Sequence, residues 1–107
     1  MKLIIAVINH DDAQVVQQQL MQNGFFFTKL STSGGFLRTG NTTILIGVED
    51  DKVQDAIDLI SKYSKSRKQM IPTTSDLGMG LYPAMPVEVI VGGATIFIIN
   101  VEDFKKV

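Results

Sequence analysis

The sequence predicts an α+β fold: a ferredoxin-like βαββαβ sandwich with an additional C-terminal strand, two helices lying on one face of a mainly antiparallel sheet. Three observations predict it. An unbroken apolar, β-branched run opens the chain, two segments carry helical apolar spacing, and four further stretches read as strands or turns in an order that a split βαβ arrangement accommodates. At 107 residues the chain is expected to form one domain over residues 1–107, since domains commonly run to ~100–150 residues.

Residues 3–8 form the opening run, bounded by Asn9-His-Asp-Asp12. Such a run suits a central strand buried on both faces. Asp11 or Asp12 is placed to cap the helix that follows. Its apolar positions Ala13, Val16 and Leu20 recur at three- and four-residue spacing, and Gly24 stands where a left-handed C-terminal cap is wanted. Residues 25–30 and 42–48, aromatic and β-branched, are the second and third strands, joined by a stretch rich in Ser, Thr and Gly. Depending on register, Phe25, Phe27, Thr28 and Leu30 supply residues to the sheet face away from the helices. That face is apolar enough to favour subunits packing sheet to sheet.

Glu49-Asp-Asp51 opens the second helix, with Val53, Ala56, Ile57 and Ile60 on one stripe and Lys62, Lys65, Arg67 and Lys68 near or beyond its end, a charge order that complements the helix dipole. From 64 to 85 periodicity fades among Pro, Gly, Ser and Met residues, the pattern of a functional or disordered loop. Met70, Met79 and Met85 there are either an adaptable contact surface or ordinary gap fillers. Residues 87–91 and 94–99 flank Gly92-Gly93, a two-residue hairpin signal. The last six residues are too few to assign.

Composition narrows the function. A net charge of −1 with a pI near 5.7 provides no basic field for polymeric nucleic acid or an anionic membrane. No cysteine is present, which excludes disulfides, thiolate zinc sites and cysteine nucleophiles. The apolar start lacks the length and small-residue cleavage region of a signal peptide, and no apolar stretch reaches the ~20 residues of a membrane span. A cytoplasmic protein is expected.

The chemistry-bearing segment is Thr28-Lys-Leu-Ser-Thr-Ser-Gly-Gly-Phe-Leu-Arg-Thr-Gly-Asn-Thr-Thr43. Residues 35–42 approach the phosphate-binding pattern G-x-x-x-x-G-K-[ST], but Asn41 replaces the lysine, and the segment runs into a strand where a P-loop runs into a helix. Nucleotide hydrolysis is therefore excluded. The inventory still suits an adenine nucleotide. Gly34 and Gly35 let backbone N–H groups approach an anion, Phe36 offers a ring for stacking, Asn41 can bond an adenine edge, Thr28 adds a hydroxyl, and Lys29 and Arg38 add charge. The residues alone leave a second reading open, a turn-rich connection with solvated charges.

Catalytic arrangements are not supported. His10 beside Asp11 and Asp12 reads as a polar turn and helix cap, and Glu49, Asp50 and Asp51 as a helix start; no nucleophile, base and orienting group can be assembled. The expectation is a protein that is not an enzyme, with no metal and no cofactor.

The segment 28–43 closely resembles the signature of the PII-like cyclic-di-AMP receptor proteins of Gram-positive bacteria, as does Pro86-Val-Glu-Val-Ile-Val-Gly-Gly-Ala-Thr-Ile-Phe97. The resemblance covers nearly the whole chain apart from the 64–85 stretch. It implies a homotrimeric signal receptor holding one cyclic-di-AMP in each inter-subunit cleft, with loops that reorganise on binding and regulate an unidentified protein. It further implies that Thr28 and Asn41 bond an adenine, that Gly35, Phe36 and Leu37 line the ligand, that Gly47 contributes backbone contacts and that Phe97 packs from the last strand. Three departures accompany it. Phe26 stands where the family favours arginine, the 64–85 stretch is shorter, and Lys105-Lys106 replaces a His-Gln pair. The departures keep two alternatives in play: another small effector such as ATP in the same cleft, or a ligand-free interaction module.

Overall fold

The computed structural model describes residues 1–30, 40–71 and 87–107. Strand β1 (Lys2–Asn9) leads into helix α1 (His10–Gln22); strands β2 (Phe27–Leu30) and β3 (Asn41–Val48) follow, then a 3₁₀ turn (Asp50–Lys52), helix α2 (Val53–Ser64), and strands β4 (Arg67–Ile71), β5 (Val87–Val91) and β6 (Ala94–Asn100). Four strands form a sheet in the order β2-β3-β1-β6, antiparallel at every pairing, and β4 with β5 forms a separate two-stranded ribbon. The four-stranded sheet with its two helices is the predicted ferredoxin-like arrangement, and β6 is the further C-terminal strand, taking the edge beside β1.

One face of that sheet is buried against the helices. Ile4, Ala6 and Ile8 of β1 and Ile44, Ile46 and Val48 of β3 meet Ala13, Val16 and Leu20 of α1 and Ala56 and Ile60 of α2, each fully or almost fully removed from water. The helical stripes thus bury the residues that their spacing nominates. Helix α1 begins two or three residues earlier than expected from its aspartates. Asn9 is the N-cap, its side chain accepting from the Asp11 amide at 2.9 Å, and Asp11 and Asp12 fall in the first turn. At the other end Gly24, with φ +83°, makes the expected left-handed cap. Its N–H donates to the Met21 carbonyl and that of Phe25 to the Leu20 carbonyl, the paired bonds of a Schellman motif.

The Gly92-Gly93 expectation is corrected. Both glycines do adopt positive φ, +79° and +84°, but they do not join a hairpin. They carry the chain from one sheet to the other, because β5 pairs with β4 (Arg67 opposite Val91, Ile71 opposite Val87) while β6 pairs with β1. Residues 67–71, expected to be loop, are therefore a strand whose partner lies far along the chain. Among the described residues no helix is long and apolar enough to cross a membrane.

Candidate functional site

The period of two along each strand decides which residues the sheet turns away from the helices. On β1, Leu3, Ile5 and Val7 alternate with the core residues Ile4, Ala6 and Ile8. The register then fixes the rest. Thr28 lies opposite Leu45, Leu45 opposite Ile5, and Ile5 opposite Phe97, one row across all four strands. Gly47, Leu3 and Ile99 make the adjacent row, and Leu30, Thr43, Val7 and Thr95 the row on the other side. Asn41, the first residue of β3, faces Asn9 at the end of this surface.

Four of the sequence-nominated residues, Thr28, Asn41, Gly47 and Phe97, therefore project from the same outer face. They do not converge on one point of it. Thr28 and Phe97 stand three strand spacings apart, roughly 14 Å, and the row of Thr28 lies four residues along β3 from Asn41, again roughly 14 Å. Gly35, Phe36 and Leu37, with Gly34 and Arg38, lie outside the described residues. Lys29 is turned the other way: it pairs with the core residue Ile44 and lines a cleft of about 400 Å³ beside His10, Gln14 and Thr42 on the helix side. Its charge is not delivered to the outer face.

The setting of these residues is apolar. Phe97 and Ile99 are each 46% exposed and Leu30 is 38% exposed, while Leu3, Ile5 and Leu45 are half-buried. No element of the described chain covers them, so the continuous apolar run of β1, which led to the expectation of burial on both faces, finds its second face only partly sheltered. Gly47 is the informative position. Its φ is ordinary, and a Cβ built there meets nothing within 4 Å. Among the described residues, neither backbone conformation nor packing requires glycine at 47, and none of them fills the space above it.

Gly47 also lines a cavity of about 620 Å³ that runs from Gly24 and Phe26 to Lys52, Asp58 and Lys62 on the side of α2. Phe26, which stands where the resemblance leads to arginine, lines this cavity and is 88% exposed. Its signal was available: an aromatic residue just ahead of β2, one position out of step with Phe25 and Phe27, both of which pack on the core. Nearby, a hydrogen bond and the positive charge of the α-amino group of Met1, 3.1 Å away, hold the Asp50 carboxyl below its usual range. His10 does what a helix start requires: its N–H donates to the Gly40 carbonyl at 2.6 Å and its Nδ1 lies 3.4 Å from Thr42 Oγ1. Among the described residues no group of His, Asp and Glu side chains is placed to hold a metal ion.

Comparison with known proteins gives a family and solved structures of similar fold. A family model described as cyclic-di-AMP receptor matches residues 1–107. A solved structure, described as the crystal structure of a functionally unknown protein from Pediococcus pentosaceus ATCC 25745, is similar with a TM-score of 0.76 and 36% identity, covering 99% of this chain and 96% of that one.

Proposed function

This chain belongs to the cyclic-di-AMP receptor family, and on that premise we propose that it is a cytoplasmic signal receptor. In this reading it binds cyclic-di-AMP at the subunit interfaces of a homotrimer and, through a change of loop conformation, regulates a partner protein. The observation that carries the reading is the shared outer face of Thr28, Asn41, Gly47 and Phe97. Spread over roughly 14 Å in each direction, these residues supply separate parts of a ligand surface, and a second copy brings complementary parts together. The half-exposed Leu3, Ile5, Leu45, Phe97 and Ile99 supply the apolar area that sheet-to-sheet packing of subunits buries.

Each residue then has a role consistent with its chemistry. Thr28 and Asn41 bond adenine edges, Gly47 lets the ligand approach the backbone of β3, and Phe97 packs from β6. Ligand acts by mass action, favouring the conformation to which it binds more tightly. A receptor family points to binding without turnover, so cyclic-di-AMP is expected to be recovered intact after incubation with the protein.

Calorimetric titration with cyclic-di-AMP, with ATP and cyclic-di-GMP as controls, tests the proposal. Saturable heat with cyclic-di-AMP alone supports it; no heat and no thermal shift in a well-folded sample refutes it. Asn41→Ala is expected to weaken binding while leaving the thermal transition in place. Light scattering checks the assembly, where a monomeric mass refutes the interface site. One observation favours a second reading, a different effector such as ATP: the exposed ring of Phe26 stands where the resemblance leads to arginine, beside Lys52 and Lys62. A preference for ATP in the same titration selects it.

A further inference from the structure

Asp12 is the one charged residue that the fold buries among those described, at 8% exposure. A carboxylate removed from water needs a partner, and this one comes from 55 positions away. Arg67, the first residue of β4, donates Nη2 to Asp12 Oδ1 at 3.0 Å and Nη1 to Oδ2 at 3.3 Å, with the same Nη1 3.3 Å from the Lys65 carbonyl oxygen. Gly92, between β5 and β6, closes over the pair. A Cβ on it would lie 2.6 Å from Arg67 Nη1, 2.8 Å from the Lys65 oxygen and 3.0 Å from Asp12 Oδ2. Helix α1, the start of β4 and the exit of β5 thus meet with no room for a methyl group.

The same turn of α1 also holds the start of β3. Asn9 faces Asn41 in register and caps the helix through the Asp11 amide, while the His10 amide donates to the Gly40 carbonyl. Among the described residues the ribbon has little else to place it. Lys68, Gln69, Met70, Val87, Glu88 and Ile90 are exposed, the Lys68–Glu88 ion pair at 3.4 Å lies within the ribbon itself, and two strands without a core are marginal in water. A planar guanidinium gripping both carboxylate oxygens fixes direction as well as distance.

We infer that residues 9–12 form a joint, with Asp12 and Arg67 as its positioning residues, that ties the base of the β4–β5 ribbon to the start of β3 so that the two loosen together. The joint rests on geometry alone. Only its use, passing an event at Asn41 to the ribbon, rests on the function proposed above, so a failure to bind cyclic-di-AMP counts against that function and leaves the following test in force.

Amide hydrogen exchange of the whole chain without ligand tests it. Arg67→Ala is expected to speed exchange by about tenfold or more across 66–71 and 87–93 and also at 10 and 40–42, with 3–7 and 54–60 unchanged. Because Arg67→Ala leaves Asp12 buried without a counter-charge, the double variant Asp12→Asn with Arg67→Met, which removes both charges, is measured beside it and should give the same pattern in a chain that melts cooperatively. A ribbon that loosens while 10 and 40–42 stay protected in the double variant overturns the joint. So does no change in either region. Uniform acceleration in both variants, core included, overturns it as well, since the pair would then hold the whole fold.

Discussion

The four-stranded sheet and the β4–β5 ribbon are both antiparallel, yet the sheet is placed by what it buries and the ribbon by where it is tied. In the sheet, Ile4, Ile8, Ile44 and Ile46 are fully buried against two helices, so a slip of one residue in register would carry the whole apolar set to the wrong face. In the ribbon, Met70, Val87 and Ile90 are exposed at 56%, 46% and 73%, and an ion pair with a glycine at its base does the placing. Hydrophobic area sets the position of one region. In the other, a guanidinium half-exposed to solvent on a buried carboxylate sets the position.

The largest effect should come from the sheet. Ile44→Ala removes a fully buried side chain from the hydrophobic core, and a loss of about 2–5 kcal/mol in urea unfolding is expected. Gly92→Ala comes next. It places a methyl group against the Lys65 carbonyl and the Arg67–Asp12 pair at φ +79°, with an expected loss of about 1–3 kcal/mol. If Gly92→Ala instead proved neutral in the same unfolding assay, the tight packing at the base of the ribbon would be wrong.

This contrast also explains what could be read in advance. The stripes Ala13, Val16, Leu20 and Ala56, Ile60 were legible because a helix against a sheet must repeat its apolar positions near 3.6 residues. Gly24 was legible because a left-handed cap is a local requirement. Strand β4 was not. Arg67-Lys68-Gln69-Met70 has no alternation of apolar and polar residues, all four are exposed, and its partner β5 is supplied from beyond 72–86. Gly92-Gly93 misled for a related reason: two glycines at positive φ suit a tight hairpin, but the choice of partner for β5 is a long-range matter.

The outer face lies between these extremes. That the sheet has an apolar second face followed from composition, but which residues line it did not. Register sends Thr28 and Leu30 outward and Phe27 toward the helices, and Phe25 joins the core. Asn9 as the cap of α1 was similarly hidden, because Asn9, Asp11 and Asp12, within a run of four polar residues, all suit that one role.

The smallest stability effect is expected where a functional effect is largest. Gly47→Val adds a β-branched side chain to β3 where none of the described residues lies within 4 Å of the added Cβ, so unfolding should change by no more than about 0.5 kcal/mol. Binding responds differently if the space belongs to a ligand. The added side chain occupies the approach to the β3 backbone beside Thr28, and affinity for cyclic-di-AMP in calorimetric titration should fall by about tenfold or more, the equivalent of about 1.4 kcal/mol. A variant that keeps both its stability and its affinity would leave Gly47 without a role on the outer face. One that loses stability instead would show that packing within the chain requires the glycine after all.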